Sequence, residues 1–287
     1  MAINIVGLST KLKQFLASLS FTCDATGAAG TCQLVMLRGC KRNANNSLSL
    51  GSDPATYTDR YDDTLVAFGD KSNGTPYLAT FQASAKPGLA WIKHSSYAAS
   101  NAGCPTVQPG QYKYVRGDHR GHEALRQEAG QPVVVIRDLD DDARLESTDL
   151  VDYPMSTGIN IHAGGSSSRV GLNSSGCQVV WGGWEGEPWK TLHSLVYKTA
   201  RQQTVFHYAV LDFALFAAWH DDQAPARRLL YGSKGALVTQ LQRTLERRGY
   251  FAPALVDGVF GRGTDRAVRA WQKSQGVRPS GIVEVKD

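Results

Sequence analysis

GINIHAGGSSSRVGLNSSGCQVVWGG, residues 158–183, carries a histidine and, fifteen residues later, a cysteine. His162 closes an alternating apolar stretch, and Cys177 opens a second one through Val179, Val180 and Trp181. Alternation of this kind is the mark of short strands. The spacing predicts two strand ends that bring an imidazole and a thiol into one pocket. A free thiol has a pKa of about 8.5, so a cysteine that attacks at neutral pH needs a base or a cation beside it. Gly176 permits a tight turn before the thiol, with Ser174 and Ser175 leading into it.

Similar runs surround this stretch. QLVMLRG, TLVAFGD, YLATFQA, YKYVRG, PVVVIRD and FHYAVLD are short and apolar or alternating, and Gly, Pro, Asn, Asp and Ser clusters separate them. They predict a mostly β domain over residues 31–215. One helix is expected near Glu187–Arg201, where Trp189, Leu192, Leu195 and Val196 recur at helical spacing. Residues 1–30 read as a short amphipathic helix and a Gly/Ala/Thr turn of unassigned role. A polar, Pro-bearing linker is expected within 216–228.

The chain has 287 residues, with 42% hydrophobic and 20% charged residues and a net charge of +5. That is room for about two soluble domains. The charge is too sparse for a nucleic-acid-binding stripe, so no nucleic-acid partner is expected. No run approaches the roughly 20 apolar residues of a membrane helix, so no membrane insertion is expected. Lys11 and Lys13 interrupt the N-terminal apolar residues, which argues against a secretory signal. Five cysteines leave at least one thiol outside any intramolecular pair. Cys23 and Cys32 flank a flexible segment and read equally as a pair or as free thiols, as Cys40 and Cys104 do as buried ones. No CxxC pair occurs, and neither a cofactor nor a metal ligand set is expected.

After the linker the pattern becomes helical. Val238, Leu241, Gln242 and Leu245 share one face, stopped by Gly249. Ala267, Val268 and Trp271 share another, stopped by Gly276. Asp265 and Arg269 fit a surface pair at i, i+4, and Thr264 is placed to cap a helix. Residues 229–287 resemble the three-helix peptidoglycan-binding domain found at the ends of wall-lytic enzymes. The resemblance rests on Gly232, Gly235, Leu241-Gln242, the run from Asp257 to Gly261, Thr264, Trp271-Gln272 and Gly281. It implies a partner, bacterial peptidoglycan, and a shallow site for which Asp257, Phe260 and Trp271 are the candidates.

Residues 31–212 resemble the L,D-transpeptidase catalytic domain, a β-rich cysteine enzyme. PGQYKY at Pro109–Tyr114 is similar to that family's Pro-x-Gly-x-Tyr strand, INIHAGG supplies its upstream histidine, and SSGC is similar to its Ser-His-Gly-Cys turn. The resemblance implies that Cys177 is the nucleophile, His162 the base, and the turn around Gly176 the oxyanion hole. Ser175 stands where the family has a second histidine, and Gln178 and Val179 where it has an arginine. Carboxylate recognition then falls to Arg169, Arg116 or Arg120, with Gln178 beside the thiol. The implied chemistry is acyl transfer from stem peptides, with hydrolysis or transpeptidation as the second half. The expected setting is the periplasm or cell wall, reached from the cytoplasm by phage or secretion-apparatus delivery, with the chain a monomer.

Other groups compete. His119 and His122, in GDHRGHEAL, lack the HExxH metalloprotease pattern and read as structural or substrate-lining. Glu185 and Glu187 raise a muramidase reading. The acidic run Asp138–Asp142 lacks the glycine and terminal glutamate of a calcium loop and reads as a solvated turn. A wall-binding protein with an inactive catalytic domain is the principal alternative to the enzyme.

Overall fold

The computed structural model describes residues 2–93, 103–140, 142–155, 158–221 and 227–285. The elements begin with β1 (Ala2–Asn4), α1 (Leu8–Ser18), β2 (Gln33–Arg38), β3 (Cys40–Arg42), β4 (Ser47–Leu50), β5 (Asp63–Asp70) and β6 (Pro76–Ser84). There follow α2 (Leu89–Ile92), β7 (Pro105–Val107), β8 (Gly110–His119), β9 (His122–Gln127), β10 (Val135–Arg137), β11 (Leu150–Asp152), β12 (Ile161–Ala163) and β13 (Gln178–Val180). The chain continues through α3 (Glu187–His193), β14 (Phe206–Asp212), α4 (Phe213–Asp221), β15 (Arg227–Leu229), α5 (Ala236–Arg247), α6 (Arg262–Ser274) and β16 (Val283–Val285).

Eight strands close a barrel in the order β12-β13-β6-β5-β2-β14-β8-β9. Two neighbouring pairs are parallel, β12 with β13 and β14 with β2. The ring closes where Ile161 of β12 meets Leu125 of β9. All eight apolar runs of the sequence are strands. Seven lie in the barrel, and PVVVIRD supplies β10 of a small sheet ordered β11-β10-β7. The eighth barrel strand, HEALRQ, went unread because charged residues on its outer face break the apolar run. Only Ala124, Leu125 and Gln127 of it are buried.

Strands β2, β5 and β14 are buried on both faces. Leu34, Met36, Leu65, Ala67, Tyr208 and Val210 fill the interior with Tyr114. The alternate residues, Val35, Leu37, Val66, Phe68, Ala209 and Leu211, meet α1 and α4 on the outside. Residues 2–30 are therefore part of the barrel domain, with Leu8, Leu12, Phe15 and Leu16 seated on its outer face. The expected linker is corrected likewise. Residues 213–221 are helical, with Phe213, Phe216 and Ala217 buried and Phe216 set 5.3 Å from Phe15. Residues 222–226 of that linker lie outside the described residues.

The expected helix near Glu187 is present as α3, extended by a π-helical turn at Ser194–Thr199. Cys23 and Cys32 are not joined in a disulfide.

The C-terminal module consists of α5, α6, a 3-10 turn at Pro253–Leu255 and the two-stranded sheet β15-β16. That single turn stands where a third helix was expected. Gln242 is the hub of the module: its amide donates to Asp257, the Val259 carbonyl and Thr264, and its oxygen accepts from the N–H groups of Asp257 and Gly258. Thr264 is thus inside α6 and bonded to Gln242, and the helix is capped at Gly261.

The module is joined firmly to the barrel. Tyr231 stacks on Tyr112 with ring centroids 5.4 Å apart, and its carbonyl accepts the Gln111 N–H at 2.9 Å. The Asp265–Arg269 pair, expected at the surface, is buried at the junction with exposures of 1% and 8%. Arg269 Nε donates to Asp265 at 2.7 Å, and Tyr153 of the barrel domain donates to the same oxygen at 2.6 Å.

Because Phe15 covers a barrel face otherwise open to water, Phe15→Ala is expected to lower stability by about 3–5 kcal/mol. Urea unfolding measures this; a loss under about 0.5 kcal/mol would show α1 to be peripheral.

Candidate active site

The parallel register of β12 and β13 pairs His162 with Val179 and, two steps earlier, sets Asn160 beside Cys177. The Gln178 N–H donates to the Asn160 carbonyl at 2.8 Å, which fixes that step. Alternation along both strands then sorts the side chains. Ile161, Ala163 and Val180 enter the barrel. Cys177 and Val179 belong to a separate outer cluster with Tyr61, Val170 and Trp181. His162 shares this outer parity.

The turn before the thiol is held from several sides. Ser174 Oγ donates to the Cys177 carbonyl at 2.7 Å and accepts the Gly176 N–H at 3.1 Å. Gly176 has φ +137°, and a Cβ there would stand 2.7 Å from the Pro105 carbonyl oxygen and ring. Only glycine suits that position. Gly176 and Gln178 commit their N–H groups, and no hydrogen bond is described for the Cys177 N–H between them. Ser175 is half-buried on the turn.

Cys177 is 8% exposed and His162 5% exposed. One ring nitrogen each of His162 and His119 and the Cys177 sulfur all lie within 4.8 Å of one another. His162 Nδ1 lies 2.7 Å from the Ala163 carbonyl, so Nδ1 carries the proton and Nε2 the lone pair. The Asn160 N–H approaches the sulfur at 3.5 Å, and the thiol donates towards the Gly158 carbonyl at 3.4 Å.

The two histidine rings stack, with centroids 4.2 Å apart and planes 11° from parallel. The Trp184 ring lies nearly parallel to that of His162 with centroids 5.7 Å apart, and His122 stacks on Trp184 at 4.3 Å. The second histidine of the site therefore comes from the end of β8. His119 and His122 face each other across the β8–β9 hairpin, whose tip is Arg120 and Gly121, both left-handed. The unread strand β9 concealed this hairpin in the sequence. His119, His162 and Cys177 together are a donor set that suits a soft or borderline cation. Face-to-face stacking lays the two ring nitrogens side by side and does not converge them on one point.

Burial, and secondarily the neighbouring His119, lowers the His162 pKa to about 4. Burial raises that of Cys177, against smaller opposing effects of the Asn160 N–H and the Arg120 charge. At neutral pH the resting pair is a neutral imidazole and a thiol.

Of the three candidate arginines, Arg120 is the one whose charge acts on both Cys177 and His162. Arg116 is spent on the Val196 and Ala200 carbonyls. Arg169 is exposed, and its backbone bridges to Arg60. Gln178 is corrected, since it is fully buried inside the barrel and accepts the Tyr208 hydroxyl proton at 3.1 Å. A groove of about 1580 Å³ runs along the barrel between β3–β4 and α3, with Tyr61 and Trp181 shared between it and the Cys177 cluster.

In the helical module, Phe260 is fully buried and is structural. Asp257 is structural too, because Oδ1 accepts from Gln242 and from the Val259 N–H. Trp271 lines a groove of about 510 Å³ with Leu237, Leu241, Thr244, Arg248 and Val283. The Arg248 guanidinium lies 5.5 Å over its ring. Residues 234–285 match the family model of a peptidoglycan binding domain. The helical module is a peptidoglycan-binding domain. No curated protein and no solved structure matches the chain.

The lowered His162 pKa has a stability consequence. Between pH 6.5 and about 4 the unfolded chain takes up a proton that the folded chain refuses. Stability is therefore full above pH 6.5 and falls by ~3 kcal/mol as pH drops through that window. Urea midpoints across the window should show this slope, and His162→Gln should flatten it; equal slopes in both proteins would contradict the assignment.

Proposed function

We propose that the barrel is a cysteine acyl-transfer enzyme of L,D-transpeptidase type, carried to the bacterial wall by its peptidoglycan-binding domain. The observation that carries this reading is the outward pairing of Cys177 with a His162 whose tautomer is fixed by the Ala163 carbonyl. Two neighbouring groups support it. The Cys177 N–H is positioned for an oxyanion, and Arg120 offers a cation for a substrate carboxylate.

In the proposed reaction, His162 Nε2 takes the thiol proton as sulfur approaches the carbonyl at the L-centre of the stem-peptide diamino acid. The C–S bond forms and the C–N bond breaks, and the imidazolium returns the proton to the departing D-amino acid. Water then hydrolyses the thioester, or an amine captures it. Because the resting pair is neutral, His162 acts as a general base on a bound substrate. Hydrolysis is the favoured outcome, in keeping with a lytic protein delivered by a phage or a secretion apparatus.

A wall-binding protein with a silent barrel is the competing reading, supported by the raised thiol pKa and the neutral resting pair. The glycosidase reading gains nothing from the geometry. The Glu185 side chain is 92% exposed and lies 3.2 Å from Lys190, while Glu187 bonds Thr191 within its own helix.

Mass spectrometry of muropeptides separates these readings. The parent protein should release a terminal D-amino acid or open a cross-link, and Cys177→Ala should lose at least about a thousandfold in rate. Glycan cleavage by both proteins, or no product from either, would contradict the enzyme reading. In the wall-binding domain, Trp271→Ala should weaken sedimentation with purified sacculi by about tenfold or more, because Trp271 is the aromatic wall of the groove; unchanged sedimentation would place the wall contact elsewhere.

A further inference from the structure

The connection between β10 and β11 reads DLDDDARLESTD, Asp138 to Asp149. Acidic side chains occupy positions one, three, five, nine and twelve of a twelve-residue span. That is the spacing with which a calcium loop presents its oxygen ligands, together with a backbone carbonyl at position seven. The two defects visible in the sequence are made good in the fold. Position six, where such loops need glycine, is Ala143, and it adopts the required left-handed conformation at φ +69°. Its N–H donates to Asp138 Oδ2 at 2.9 Å. Position twelve is Asp149, and it closes on the start of the loop: one carboxylate oxygen each of Asp138, Asp140 and Asp149 lie within 4.8 Å of one another.

A separate observation points to a ligand. Asp138 is only 1% exposed, and its second oxygen, Oδ1, is buried without a hydrogen-bond partner. Among the described residues no lysine or arginine pairs with these carboxylates. Such a group of negative charges around an orphaned oxygen is what a bound cation would resolve. Asp140 and Asp142 are exposed, as expected of a solvated turn, and only Asp138 is buried. The loop is also set in advance. Leu145 is buried against Tyr57, Ile92, Cys104 and Ile136, and its N–H donates to the Ala55 carbonyl at 2.7 Å.

We propose that Asp138, Asp140, Asp142 and Asp149, with the Arg144 carbonyl, bind one calcium ion. All-oxygen ligation on a flexible loop favours calcium over magnesium, which demands a tighter octahedron. The ion would brace β10, whose partner β7 presents Pro105 to Gly176 beside the thiol. The site stands independently of the acyl-transfer reading.

The test uses the full chain stripped with EGTA and titrated with calcium chloride by calorimetry and thermal unfolding. One site with a Kd of roughly 10⁻⁵–10⁻³ M is expected, with Tm rising by several degrees at saturation. Asp140→Ala, at an exposed position that does not threaten folding, should weaken binding at least about tenfold, and Asp140→Ala with Asp149→Asn should abolish it. No heat and no Tm shift up to about 10 mM calcium would overturn the proposal. An equal response of parent and double variant, or equal affinity for magnesium, would overturn it as well.

Discussion

The site depends on the parallel pairing of β12 with β13. Parallel strands keep the same side-chain parity at facing positions, so one register decides that His162 and Cys177 emerge together on the outside of the barrel. A one-residue slip would send the thiol into the interior and bring Gln178 out. The register is held by the Gln178 N–H on the Asn160 carbonyl, by Ser174 bridging the turn, and by Gly176 seated against Pro105. The same pair of strands joins the two ends of the barrel wall, β12 to β9 and β13 to β6. Closure of the barrel and assembly of the dyad are one event.

Around that pairing the protein is more integrated than a catalytic unit with an anchor on a string. Helices α1 and α4 cover one side of the barrel, and the wall-binding domain shares a core with the rest through Tyr231, Tyr112 and the buried Asp265–Arg269–Tyr153 group. A buried ion pair of this sort adds little stability by itself, but loss of either partner leaves a buried charge. It therefore fixes the orientation of the helical module relative to the barrel.

The sequence made the barrel legible because seven of its strands keep clean apolar runs, and it made the dyad legible because His162 and Cys177 sit at the ends of two of them. What it concealed has physical causes. Strand β9 carries its polar residues outward and so lost its apolar run, and with it went the hairpin that brings His119 onto His162 and carries Arg120 at its tip. Gln178 and Phe260 were read as ligand contacts on motif position alone, and burial inside a core shows them to be structural. Asp265 and Arg269 fit a surface helix pair by spacing; only the docking of the module against Tyr153 shows why that pair is buried. The acidic loop was set aside for want of a glycine and a terminal glutamate, yet Ala143 takes the backbone conformation that glycine would supply.

The most direct test of the central claim is intact-protein mass spectrometry after rapid mixing with a tetrapeptide-bearing muropeptide and acid quench. A cysteine acyl-transfer enzyme should gain the mass of the acyl fragment on Cys177, minus the departed D-amino acid, and lose it on treatment with hydroxylamine, as a thioester does. An unchanged mass throughout the time course, with intact substrate, would contradict the claim and leave a wall-binding protein with a silent barrel.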